Sequence, residues 1–327
     1  TRIGSNGNYN TAYGFDGIFR VFGDDYFDIK WAQTFETDAE NKVTSFKPTR
    51  MRVSWERRSQ KGFGYDVSLS HSGENFNPGT GFEIRDNYRA FRSQIQWGWL
   101  SDEDSKLFSH NINFQAMNFY SSITGNLESG SMGPGWEFQT KSFFLGTFEV
   151  KRMVENVLEE FSFSNDTDVP EGNYEFYGFE GMLMTPMTRK VYAEMMLEGG
   201  QFYDGNRFSY MISPYMNLSS SFQINGTYQF DAINFNERNQ KLRNHIARIK
   251  FEYMHSTKLS ASSFVQYNTL NAAFVGNFRL RYNPREGNDF YLVFNEIRNL
   301  KPELEIPQLP NLANRTLLLK YTHTFVL

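Results

Sequence analysis

The chain has 327 residues, no cysteine, and 33 Lys+Arg against 37 Asp+Glu, for a formal charge of −4. No basic excess is available to neutralise phosphates, so nucleic acid is excluded as an expected partner. No run approaches the roughly 18–20 apolar residues of a membrane-spanning helix, yet 17% of the chain is aromatic at a mean hydropathy of −0.56, and so many rings need an apolar environment.

The chain opens on Thr1-Arg2-Ile3-Gly4, with neither an initiator Met nor a signal-peptide core, as expected of a processed or trimmed chain. From Tyr13 onward the dominant signal is alternation of period two, which puts successive side chains on opposite faces of a strand. It predicts strands over Tyr13–Phe22, Tyr26–Asp38, Met51–Arg58, Phe63–His71, Arg92–Trp99, Leu107–Phe119 and Glu137–Val150. It resumes over Tyr174–Met184, Val191–Tyr203, Phe208–Asn217, Phe222–Phe230, Ala247–Tyr253, Leu259–Asn268, Ala272–Tyr282, Phe290–Arg298 and Thr316–Phe325. The expectation is about sixteen strands, within roughly 14–18, as in outer-membrane barrels. Roughly 20 residues per strand and connection leave room for the ~9–11 residues of a tilted spanning strand. Met153–Phe161 is the one short helical candidate, and it falls in an expected loop. No linker or low-complexity block interrupts the pattern, so residues 1–327 read as a single domain.

The two faces differ in chemistry. Phe15, Phe19, Trp31, Trp55, Trp97, Trp99, Phe278 and Tyr282 fall on the apolar one. Asp16, Arg20, Asp28, Lys30, Arg52, Glu56, Arg248, Lys250, Glu252, Arg279 and Arg281 fall on the other. Charges of both signs would be prohibitively costly in a sandwich core, whereas inside a barrel they face a lumen. Aromatic rings are favoured at the two membrane–water interfaces, and only a closed sheet satisfies every backbone group in lipid. The expected fold is therefore all-β: a closed antiparallel transmembrane β-barrel, integral to a Gram-negative outer membrane and in contact with its lipid and lipopolysaccharide.

Short periplasmic turns and longer outer loops are the usual asymmetry of such barrels. In the second half, Met187–Thr188, Asn217–Ser219, Ser256–Lys258 and Asn283–Asn288 read as the short turns. Gly199–Asn206, Asp231–Gln240 and Asn299–Asn314 read as the longer loops. The short connections of the first half, Gly23–Asp25, Gln60–Gly62 and Ser101–Ser105, have the opposite parity. An odd number of strands is therefore miscounted within Ser121–Asn173. At the C-terminus Leu317, Leu319, Tyr321, His323 and Phe325 share a face, similar to the terminal strand signal of outer-membrane barrels, although Val326 and Leu327 follow the aromatic.

Several stretches carry a family resemblance: Val169-Pro170-Glu171-Gly172-Asn173-Tyr174-Glu175-Phe176, Gly200-Gln201-Phe202-Tyr203-Asp204-Gly205-Asn206-Arg207, Val265-Gln266-Tyr267-Asn268, Asn277-Phe278-Arg279-Leu280-Arg281-Tyr282 and Asp289-Phe290-Tyr291-Leu292-Val293-Phe294-Asn295-Glu296. Upstream, Tyr13-Gly14-Phe15-Asp16 and Gly81-Phe82-Glu83-Ile84-Arg85 belong with them. Together these resemble the C-terminal barrel of a Gram-negative outer-membrane family of unknown function. Its members usually carry an N-terminal carbohydrate-binding, family-nine-like β-sandwich. The resemblance implies a barrel and no particular chemistry. No such sandwich lies within these residues, so carbohydrate binding does not carry over.

Candidate chemistry is sparse. His71, His110, His245, His255 and His323 lack metal-ligand spacing, and there is no cysteine to help. In Ser70-His71-Ser72 the neighbouring side chains point to opposite faces of a strand, the wrong geometry for a nucleophile and its base. The acidic clusters Asp24-Asp25, Asp102-Glu103-Asp104 and Asn165-Asp166-Thr167-Asp168 read as solvated turns. No catalytic, cofactor or metal site is expected, and the chain is not expected to be an enzyme. The leading expectation is a membrane anchor or platform with outer-membrane protein or lipoprotein partners, its lumen filled by Ser121–Trp136, Lys151–Asn173 and paired charges. The alternatives are a passive diffusion pore and a soluble carbohydrate-binding or hydrolytic β-protein.

Overall fold

Alternation becomes strand along nearly the whole chain. The computed structural model describes residues 2–5, 7–37, 39, 41–304 and 306–324. By internal contacts the chain divides into two units, one formed by residues 1–141, 147–161 and 169–179, the other by 142–146, 162–168 and 180–327.

The first unit is built on β1 (Arg2–Ser5), β2 (Asn8–Phe22), β3 (Asp25–Glu36), β4 (Thr49–Arg57), β5 (Gly62–Ser72), β6 (Tyr88–Leu100), β7 (Leu107–Ser121), β8 (Leu127–Thr140) and β9 (Leu145–Val157). Each strand from β1 to β8 pairs antiparallel with the next. A small hairpin follows, β10 (Phe161–Ser164) with β11 (Thr167–Val169), and then β12 (Gly172–Met184). The second unit continues through β13 (Val191–Phe202), β14 (Gly205–Asn217), β15 (Phe222–Phe235), β16 (Gln240–Met254), β17 (Leu259–Asn268), β18 (Ala273–Arg285), β19 (Asn288–Asn299) and β20 (Leu312–His323). From β13 to β20 each strand again pairs antiparallel with its successor. All the strands except β10 and β11 belong to one large sheet.

Several expectations are corrected. Glu137–Val150 is two strands rather than one, since β8 ends at Thr140 and β9 starts at Leu145. Ser121–Trp136 is consequently no plug, because most of it is β8, hydrogen-bonded along β7. Met153–Phe161 contains no helix: β9 runs through Val157 and β10 starts at Phe161. The count of about sixteen becomes seventeen long strands among the described residues, β2–β9 and β12–β20, inside the expected range, and the parity conflict disappears with the added strand. The loops expected over Gly199–Asn206 and Asp231–Gln240 also shrink, to residues 203–204 and 236–239, because the flanking strands run further than their alternation. The long connections are residues 37–48, 73–87 and 300–311. The terminal aromatic Phe325 lies outside the described residues.

Burial is inverted relative to a soluble sheet protein. Phe15 (57% exposed), Leu69 (61%) and Leu319 (76%) stand open on the apolar face, while Ser54, Ser68, Ser209, Ser213 and Asn244 on the polar face are buried. A water-soluble fold places its apolar side chains the other way round, because burying them is the dominant stabilising term.

Candidate functional site

Strand register collects the sequence-identified charges onto one face of each unit, since directly opposed residues share a face. In the first unit Asp16 pairs with Lys30, Lys30 with Arg52, and Arg52 with Ser70. The neighbouring rows run Ile18–Asp28–Ser54 and Arg20–Tyr26–Glu56. Lys30 Nζ lies 3.9 Å from Asp28. Arg20 turns to Asp24 at 3.1 Å, and Glu56 is taken by Arg58 at 2.5 Å. Arg52 Nε is buried without a hydrogen-bond partner.

In the second unit Arg248, Lys250 and Glu252 share the polar face of β16, and Arg279 and Arg281 share that of β18. Lys250 meets Glu252 at 2.9 Å, and Arg281 meets Asp289 at 2.7 Å. Arg248 donates to Gln266 at 3.1 Å and lies 5.7 Å from the Phe264 ring, while Arg279 stands 4.8 Å over Tyr291. The eleven residues are thus distributed along strands, some of them as local pairs such as Asp28–Lys30 and Lys250–Glu252, and they do not converge on a reaction centre.

Sequence reasoning missed two clusters. On the apolar face, where β3 and β4 meet their short connections, Arg57 holds Asp25 at 2.5 Å, and Tyr65 donates to the same carboxylate at 3.3 Å. Neutralised in this way, a charge pair can sit at the edge of an apolar band. The second cluster concerns the β10–β11 hairpin. Arg238, in the turn between β15 and β16, reaches Asp168 at 3.2 Å and Asp204 at 2.8 Å, and stands 4.1 Å over the Phe235 ring. Phe163 lies 5.7 Å from Phe202, and Arg207 lies 5.4 Å from that same ring. Here the otherwise polar face carries Ile233, Phe235 and Leu242, all buried. Residues 163–168 are therefore docked on the polar side of the second unit, beside its 203–204 and 236–239 turns. The only sequence signal for this docking was the acidic run Asn165–Asp168, which read as a solvated turn.

Rings bound the apolar face of the second unit at both ends. At one end are Phe222 and Tyr253 (6.3 Å) and the ladder Tyr282–Phe290–Tyr321 (6.3 and 4.6 Å). At the other, Tyr210 meets Phe230 at 5.5 Å, Phe230 meets His245 at 4.9 Å, and His245 Nδ1 is hydrogen-bonded to Tyr228 at 2.8 Å. The remaining histidines sit similarly. His110 stacks on Trp99 at 4.9 Å, His71 donates to the Phe46 carbonyl at 3.0 Å, and His255 and His323 stand beside Tyr253 and Tyr321. Ser70 and His71 occupy opposite faces of β5. No group of three His, Cys, Asp or Glu able to hold a metal occurs among the described residues.

No family model matches the chain, and comparison with curated proteins finds no match.

Proposed function

We propose that the sheet closes into a barrel integral to a Gram-negative outer membrane, with its apolar face against lipid and its charged face lining the interior. The inverted burial carries this reading: Phe15, Leu69 and Leu319 are exposed while Ser54, Ser68 and Asn244 are not. Rings at both ends of the apolar face match the two interfacial girdles of membrane barrels. Closure would leave no unpaired strand edge in lipid. Were the chain a soluble carbohydrate-binding or hydrolytic protein, these rings would be left in water, as a far larger apolar patch than soluble surfaces carry.

Within that reading the chain serves as a platform that holds partner proteins, with a constricted interior. The support for the constriction is the hairpin, fixed over the polar face by Arg238 against Asp168 and Asp204. A diffusion pore is the second reading, favoured by charges such as Lys30 and Arg281, whose side chains remain 55% and 43% exposed on the polar face. Detergent dependence and heat-modifiable migration on a gel test the membrane reading. A monodisperse protein with full β signal in the absence of detergent overturns it.

A further inference from the structure

The apolar face of the first unit carries a groove of about 520 Å³, within the roughly 300–1,000 Å³ of small-molecule clefts. Its floor is two successive cross-strand rows, Met51–His71–Arg89 and Val53–Leu69–Phe91. Phe46, from the 37–48 connection, forms one wall. His71 holds it there, donating from Nε2 to the Phe46 carbonyl at 3.0 Å with the two rings edge-on at 6.2 Å. The groove is therefore apolar toward the middle of the sheet and ends at one cation. Arg89 is exposed, and among the described residues no carboxylate pairs with it.

An arginine on a lipid-facing surface is costly near the bilayer midplane and is tolerated toward the interface, where it meets headgroups. Arg89 is the second residue of β6, directly after the 73–87 connection. That end of the first unit bears the connections 37–48 and 73–87, while the other end bears 23–24, 58–61 and 101–106. Long loops face outward in outer-membrane barrels, so Arg89 belongs to the outer leaflet. A guanidinium matches phosphate geometry with two parallel hydrogen bonds, and the adjoining apolar rows match an acyl chain.

We infer that this groove binds the phosphorylated acyl glycolipid of the outer leaflet, lipid A, with a phosphate on Arg89 and an acyl chain along Val53, Leu69 and Phe91 under Phe46. This inference rests on the membrane reading above. The test is native mass spectrometry of the detergent-solubilised chain titrated with diphosphoryl lipid A, dephosphorylated lipid A or phosphatidylglycerol. Losing a charge-assisted contact should weaken binding roughly tenfold, so Arg89→Gln is expected to lose about that factor. Arg92→Gln, on the opposite face of β6, should bind as the wild type does. Dephosphorylated lipid A should bind Arg89→Gln and wild type alike, and weakly. Equal binding by wild type and Arg89→Gln, an equal loss in Arg92→Gln, or equal affinity for phosphatidylglycerol overturns the inference. Heat-modifiable migration is checked on each variant. If the wild type lacks it, the membrane reading itself fails; if it persists while lipid A ignores Arg89, only the groove assignment fails.

Discussion

Arg57 grips Asp25 through two hydrogen bonds, Nε to Oδ1 at 2.5 Å and Nη2 to Oδ2 at 2.8 Å, across paired positions of β3 and β4. Both residues lie on the face that also carries Trp55 and Phe27, so either charge alone would be stranded at the edge of an apolar band. Arg57→Ala is expected to lower the urea midpoint of the detergent-folded chain, and Asp25→Ala/Arg57→Ala to recover part of the loss. Tryptophan fluorescence reads both. Additive losses in the double variant would show that the pair is not coupled.

Phe278 faces Ser263 and Phe294 in the apolar row, whereas Asn277 faces Phe264 and Asn295. Phe278→Arg should impair folding into bilayers by about 2–4 kcal/mol, the cost of Arg near the midplane on a lipid face. Asn277→Arg should be tolerated, since its row already carries Lys250. Equilibrium folding into lipid vesicles measures both, and equal penalties would mean the faces are assigned the wrong way round.

Those faces were legible in the sequence because most strands alternate over five or more residues, as in Phe274–Tyr282. β8 was not. Its run Ser129-Gly130-Ser131-Met132-Gly133-Pro134-Gly135 puts Gly133 and Gly135 where polar side chains would mark the period, and a proline inside a strand argues against one. The glycine has a reason that only the fold exposes: a Cβ at Gly133 would collide with the Val150 carbonyl of β9. Nor could the sequence show what Arg238 touches, because Asp168 lies 70 residues away along the chain. Long-range ion pairs leave no periodic trace. The charges on the polar face were readable as a face but not as pairs, since pairing depends on register.

Gly133→Ala is accordingly expected to slow or abolish assembly, although alanine is otherwise a mild substitution. Refolding yield into detergent, followed by gel mobility, is the measurement. An unchanged yield would show that β8 and β9 can separate at this point without cost.

Arg238→Ala should free residues 163–168. The side chain bonds the Asp168 carbonyl at 2.6 Å as well as two carboxylates, and it covers Phe235, which is fully buried. Its loss leaves Asp168 and Asp204 without that cation and leaves Gln240 as the side chain still bonded to Asp168. Hydrogen exchange at residues 164–168 is expected to quicken, with the amides of β18 and β19 unchanged. Unaltered protection at 164–168 would show that the Gln240 bonds to Asp168 and the packing of Phe163 on Phe202 suffice.

Conduction separates the platform from the pore. Closed as a barrel, about seventeen strands enclose a lumen wide enough for an aqueous channel unless something fills it. Ser121–Trp136 cannot be the filler, because it contributes β8 to the wall. The β10–β11 hairpin remains, held on the polar face by Arg238 and by Phe163 against Phe202, and the same face of β15 and β16 carries Ile233, Phe235 and Leu242, three buried apolar residues. Such a patch makes sense where protein covers it, since exposing it to a wet lumen would forfeit its burial. In planar bilayers the intact chain is therefore expected to show little or no stable current. Replacing residues 161–169 by a short Gly-Ser linker should open steady ohmic steps, and Arg238→Ala should give flickering intermediate currents as the hairpin detaches and returns. Large, stable steps from the intact chain would overturn the platform and establish the diffusion pore. Silence from the linker variant, with heat-modifiable migration retained, would instead place the obstruction among the paired charges of the polar face, beginning with Asp28–Lys30 and Lys250–Glu252.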